Sequence, residues 1–155
     1  MRKRLITPIP GAPPIERDWL DVGSVASVEI TSEDRAHPIE SALLAGEKRG
    51  WRAAEPGPQT VRLLFDKPQR LRRIWLVFEE TETQRTQEFV LRWSDAGHSF
   101  REIVRQQWNF SPPETVRETE DYSVELLDVI VLELKIVPDK SGGEARASLE
   151  SLRLA

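Results

Sequence analysis

From Val61 onward the chain alternates. In VRLLF (61–65), Val61, Leu63 and Phe65 share one face; in LRRIWLVFE (71–79), Ile74, Leu76 and Phe78 do. TQEFVLRW (86–93) carries Phe89, Leu91 and Trp93 on one side, and RETEDYSVEL (117–126) carries Tyr122, Val124 and Leu126. VIVLELKIV (129–137) points Ile130, Leu132, Leu134 and Ile136 inward and Glu133 and Lys135 outward. A period of two is the signature of a half-buried strand. SVASVEIT (24–31), SFREIVRQQ (99–107) and SLESLRL (148–154) complete a set of eight. HPIESALLAG (37–46) reads as a helical turn, with Pro38 near its start and Gly46 as its stop. The expected fold is all-β: an eight-stranded antiparallel β-sandwich of jelly-roll type.

The connections divide by length. If consecutive strands run antiparallel, 66–70, 94–98 and 127–128 fall at one end of the sandwich, all tight. Segments 32–60, 79–86, 106–115 and 138–147 fall at the other, all longer. Rigid sheets carry their sites on loops, so a site is expected at the long-loop end. The tight SDAGH segment (94–98) is then structural, with Asp95 and Gly97 as turn formers.

Composition narrows the function. At 155 residues the chain is one domain's length and can bury a sizeable core. Four of the eleven prolines stand in residues 1–18, which predicts an extended arm ahead of a domain at 19–155. The absence of cysteine removes thiolate metal sites, cysteine nucleophiles and disulfides, and suits a reducing compartment. A net charge of −4 with both signs mixed gives no reason to expect a nucleic-acid partner. No apolar run has the length of a membrane span, and the basic start is cut by Pro8 and Pro10 before a signal-peptide core forms. The expected location is cytoplasmic.

A family resemblance rests on Gly50-Trp51, the FDKP segment (65–68), Phe89 with Ser94-Asp95-Ala96-Gly97 and Phe100, and the closing Ala147-Ser148-Leu149. Over residues 24–155 the chain resembles a discoidin domain (factor V/VIII C-type), of the galactose-binding-like superfamily. The resemblance implies a binding module for sugars, phospholipid heads or proteins that works through its long-loop end. Many sugar-binding relatives hold a structural calcium with an Asp-Gly pair and a late Glu. Here the matching positions are Ala45-Gly46 and Ser151, with Glu150 one residue off, so no metal is expected; calcium needs 6–8 oxygens. Membrane-binding relatives expose apolar spikes where this chain has the polar EETETQR (79–85), so no membrane role is expected.

The candidate ligand-binding set is His37, Trp51, Arg52, Arg85, Trp108, Asn109 and Phe110. Sugars take an aromatic face plus planar donors and acceptors for their hydroxyls. A competing reading stands beside this one. In it Trp51 and Phe110 cap the core, Arg85 pairs with a loop glutamate, and Trp108 packs on the proline-rich arm. His37 and His98 fall at opposite ends, which disfavours a two-histidine metal site. Glu79-Glu80 and Glu118-Glu120-Asp121 read as solvated charge. No nucleophile motif such as G-x-S-x-G is present, so neither catalytic residues nor cofactors are expected. The leading function is non-catalytic carbohydrate binding. The alternative is a protein-protein interaction module, as in relatives that act as cytoplasmic adaptors, including the N-terminal domain of a single-strand-break repair scaffold. Oligomeric state stays open.

Overall fold

The computed structural model describes residues 19–46 and 50–155. The expected arm at 1–18 lies outside them, as does any packing of Trp108 on it. In chain order the elements are α1 (Val22–Val25), β1 (Ala26–Ile30), α2 (Glu40–Leu43), β2 (Trp51–Arg52), β3 (Gln59–Glu79), β4 (Arg85–Ser94), β5 (Arg101–Phe110), β6 (Arg117–Val137), β7 (Ser148–Leu149) and β8 (Ser151–Leu154).

Two expected turns are bends. Segments 61–65 and 71–79 belong to the single strand β3, and 117–126 and 129–137 to β6. The two strands pair along most of their length, with register shifts between Leu64 and Arg73. Pro68, which has no N–H to give a ladder, falls in the unpaired stretch between Leu64 and Gln69. On β6 the bend is at Asp128, whose φ of 58° is left-handed. Bulges of this kind carry one strand from one layer of a sandwich into the other.

The first layer therefore holds β1, the first half of β3, the second half of β6, β4 and β5. The second holds β8, the second half of β3 and the first half of β6. All these pairings are antiparallel. The layers meet where Phe78 of the second stacks on Phe89 of the first at 5.1 Å, with Tyr122 edge-on to Phe89 at 6.5 Å.

The inward phases at Val61/Leu63/Phe65, Ile74/Leu76/Phe78 and Phe89/Leu91 are all buried. Three details differ. The bend at Asp128 disturbs the alternation of β6 locally, so Val129 is buried and Ile130 only half so, while Leu132, Leu134 and Ile136 keep the expected face. Glu133 points away from the core as expected but is covered, held between Arg62 (2.7 Å) and Arg92. Burial opposes its ionisation, yet hydrogen bonds from the two arginines outweigh that and hold its carboxyl below the usual range. At the SDAGH turn the acceptor is Ser94, whose Oγ takes the backbone N–H of Ala96 (3.1 Å) and Gly97 (2.8 Å). Asp95 stays exposed, and Gly97 supplies the positive φ of 80°.

Leu134 sits between Val61 and Leu91 across two pairings and is 1% exposed. Leu134→Ala is expected to cost about 2–5 kcal/mol in denaturant unfolding, the range for a buried leucine replaced by a cavity. A loss below about 1 kcal/mol, the size of an ordinary surface change, would mean that this face of β6 is not core.

Candidate functional site

A short ribbon builds the long-loop end. β2 and β7 pair antiparallel, Trp51 with Leu149 and Arg52 with Ser148. The loop before α2 is strapped to the ribbon: Asp34 N–H donates to Arg52 O (2.8 Å) and Arg52 N–H to His37 O (3.1 Å). On the other side Glu150 N–H donates to Val77 O (2.8 Å) and Ser148 Oγ to Glu79 O (3.3 Å), anchoring the ribbon on the second layer. Gly50 makes the close approach possible. Its φ is +67°, and a Cβ there would lie 2.9 Å from both Glu150 Oε2 and Leu149 O.

These connections enclose a cleft of about 180 Å³. His37, Arg52, Arg146, Ser148 and Glu150 line it on the ribbon side, and Glu79 to Glu82 form the opposite wall. Arg52 and Arg146 are exposed and make no ion pair with a described residue. Burial pushes the Glu150 carboxyl up, Glu79 adds to the shift, and Arg117 and His37 temper it. Glu80 moves the other way. Burial opposes its ionisation, but hydrogen bonds from Arg85 and from the backbone of Glu82 and Thr83 win and hold its carboxyl low.

A second depression lies beyond this wall, lined by Gln84, Arg85, Thr86, Asn109, Ser111 and Asp139, among others. Arg85 and Asn109 meet there through the β4–β5 register, in which Arg85 faces Phe110 and Thr86 faces Asn109. Thr86 Oγ1 donates to Asn109 Oδ1 at 2.8 Å.

The seven candidates thus divide. His37, Trp51 and Arg52 border the first cleft, and Arg85, Asn109 and Phe110 the second depression; Trp108 borders neither. Three of them lie in the interior, where the competing reading places them, and not on the surface as a binding role expects. Trp51 is 1% exposed and gives its indole N–H to Ser32 O at 3.0 Å, so it is the floor beneath the cleft and offers no stacking face. Phe110 is wholly buried. The Arg85 side chain is fully buried above the Phe110 ring, its Nε bound to Glu80 Oε1 (2.8 Å) and its Nη1 to Pro138 O (2.8 Å) and Gln87 Oε1 (3.1 Å). Trp108 is half-buried on the inner face of β5, opposite Gln87.

The first cleft also uses residues that the sequence reading set aside. Glu79 and Glu80 read as solvated charge, and Glu150 as one residue out of phase. The chain leaves strand geometry at Glu150, between β7 and β8, which turns its carboxylate to Gly50 and the cleft. Among the described residues no group of three or more His, Cys, Asp or Glu side chains is placed to hold a metal. No helix there is long and apolar enough to cross a membrane.

No protein-family model and no curated protein matches the chain. Solved structures do. A pectin-binding carbohydrate-binding module superposes with a TM-score of 0.60 at 18% identity, covering 84% of this chain and 89% of that one. The family 32 module of NanJ from C. perfringens, solved with galactose, gives 0.61 at 16% identity over 88% and 97%. The family 32 module of AlyQ, solved with 4,5-unsaturated mannuronic acid, gives 0.63 at 11% identity over 84% and 95%. The chain has a galactose-binding-like fold. The galactose-binding-like sandwich accounts for the strand order above, and the identities are low enough that the likeness is one of architecture.

Proposed function

We propose that this galactose-binding-like protein is a non-catalytic carbohydrate-binding module and that the saccharide sits in the cleft between the β2–β7 ribbon and residues 79–82. The observation that carries the reading is the cleft's lining: exposed Arg52 and Arg146, with His37, Ser148 and Glu150 beside them, converge on a space suited to a polar ring. Charged and hydroxyl side chains of this kind satisfy vicinal hydroxyls in pairs. The neighbouring folds support the same class, since the solved modules carry galactose or an unsaturated mannuronic acid, or are described as pectin-binding.

Recognition here rests on hydrogen bonds, because the aromatic floor, Trp51, is closed over. The interaction-module reading has less support. Leu127 is the one large exposed hydrophobic among the described residues, whereas a protein-docking face is a contiguous apolar patch.

A glycan array probed with the wild type and with Arg52→Ala tests the proposal. The wild type is expected to retain a subset of glycans. Arg52→Ala is expected to weaken the best of them by about ten-fold or more, the value of a charged hydrogen bond. Its stability should change by no more than about 0.5 kcal/mol, as for a surface substitution. Retention of no glycan by the wild type, or equal retention by the variant, would count against the cleft.

A further inference from the structure

Among the described residues, three buried side-chain polar atoms have no hydrogen-bond partner: Arg85 Nη2, Trp108 Nε1 and Glu118 Oε2. All three belong to neighbours of one residue, Gln87. Trp108 lies directly across the β4–β5 ladder from it. Arg85 Nη1 donates to its Oε1 (3.1 Å), and its Nε2 donates to Glu118 Oε1 (3.1 Å). Buried polar groups are almost always paired, so three exceptions around one residue call for an explanation.

The cluster is wired to the cleft. Arg85 Nε holds Glu80 Oε1 at 2.8 Å, and Glu80 Oε2 accepts the backbone N–H groups of Glu82 (3.1 Å) and Thr83 (3.3 Å). Glu80 and Glu82 are part of the cleft's wall. An unbroken path of hydrogen bonds thus runs from the Glu118 carboxyl through Gln87, Arg85 and Glu80 to the backbone of that wall.

We propose that Glu118 is a proton-operated latch on the 80–84 loop: with its proton on, Arg85 is committed to Glu80 and the wall is held; with its proton off, Arg85 turns to Glu118 and the wall is released. The chemistry of the orphaned atoms supports this. Glu118 is fully buried and faces Phe78 across the ladder, so ionisation there needs a cation. The Arg85 N–H without an acceptor is the donor at hand, and the oxygen without a donor is its complement. Burial, and secondarily the charge of Glu120, push the Glu118 carboxyl up to about 8, against the pull of Gln87 and Arg85.

The surroundings contain few other charges. Arg85 faces it from β4, while Gln87 there and Trp108 and Phe110 on β5 carry none. Its own strand adds Glu120 and Tyr122, whose hydroxyl donates to Glu120 Oε2 at 2.7 Å. Burial pushes that phenol further up, and Glu80, beyond Arg85, is held low. The latch bears on the cleft whatever the cleft binds; only its effect on affinity rests on the carbohydrate reading.

An NMR titration of the full chain without ligand, from about pH 6 to about pH 9, brackets the shifted carboxyl. Expected in the wild type are a Glu118 side-chain ¹³C titration with its midpoint near 8, and concerted shifts of the Glu82 and Thr83 amides and of Arg85 Nε with the same midpoint. In Glu118→Gln, which keeps the shape and cannot ionise, the shifts of these amides and of Arg85 Nε should vanish. A Glu118 carboxyl that titrates in the ordinary carboxylate range overturns the proposal without any variant. So do Glu82 and Thr83 amides that stay fixed through the window, or that titrate identically in Glu118→Gln.

Discussion

Arg85→Ala is expected to destabilise the protein by about 3–5 kcal/mol, the cost of removing one partner from a buried ion pair. Its guanidinium is an interior hub. The side chain is 0% exposed, against 19% for its partner Glu80. Deleting it leaves the Glu80 carboxylate without its cation and strips a donor from the Pro138 carbonyl and from the Gln87 amide oxygen. Buried acceptors left without donors cost about 1–3 kcal/mol each in desolvation. The guanidinium also rests 4.8 Å from the centre of the Phe110 ring. Arg85→Lys keeps the charge but loses the planar fork that serves several acceptors at once, so it should recover only part of the loss. Urea unfolding followed by tryptophan fluorescence measures both. A loss below about 1 kcal/mol for Arg85→Ala is the behaviour of an exposed pair and would contradict the interior placement.

Trp51→Ala is expected to cost a similar amount, about 3–5 kcal/mol, for a large aromatic removed from a close-packed core. Trp51 lies under the ribbon and links two parts of the chain, through its pairing with Leu149 and its indole bond to Ser32 O at 3.0 Å. Trp51→Phe keeps most of the volume and removes the indole N–H, leaving the Ser32 carbonyl short of a donor. Its expected cost is about 1–3 kcal/mol. The contrast with Arg52 is sharp. The two residues are adjacent in sequence, yet strand alternation puts one in the floor and the other in solvent. Stability should follow Trp51, and ligand binding should follow Arg52. Equal loss of stability at the two positions would break this division.

The core was legible because burial of one face imposes alternation. Val61, Leu63, Ile74, Leu76, Phe89, Leu132 and Leu134 sit where a period of two places them. The bends were not legible. Asp66 to Arg70 has the composition of a turn, and nothing local tells a turn that reverses a strand from a bulge that carries it into a second layer. The long-loop end was readable from connection lengths together with the assumed antiparallel alternation of strands, and the structure brings segments 32–37, 50–52, 79–86, 109–111 and 138–150 to it. Which of its residues face solvent was harder to read. Arg85 and Gln87 continue the inward phase of Phe89 and Leu91, and Glu118 continues that of Tyr122 and Val124. Phase pointed inward while residue type pointed outward. Phase prevailed because the polar groups found partners inside: Arg85 pairs with Glu80, and Glu118 accepts a hydrogen bond from Gln87.

The central claim is that the cleft bordered by His37, Arg52, Arg146, Ser148 and Glu150 is where a saccharide sits. The most direct measurement is a ¹H–¹⁵N shift map, recorded as the tightest glycan from the array is titrated into labelled protein. The account predicts progressive shifts centred on the backbone of residues 37, 52, 80–82 and 146–150, with the hairpin at 94–98 silent. Shifts centred on the β5 edge or on the bends at 66–70 and 127–128, with the cleft silent, would contradict it.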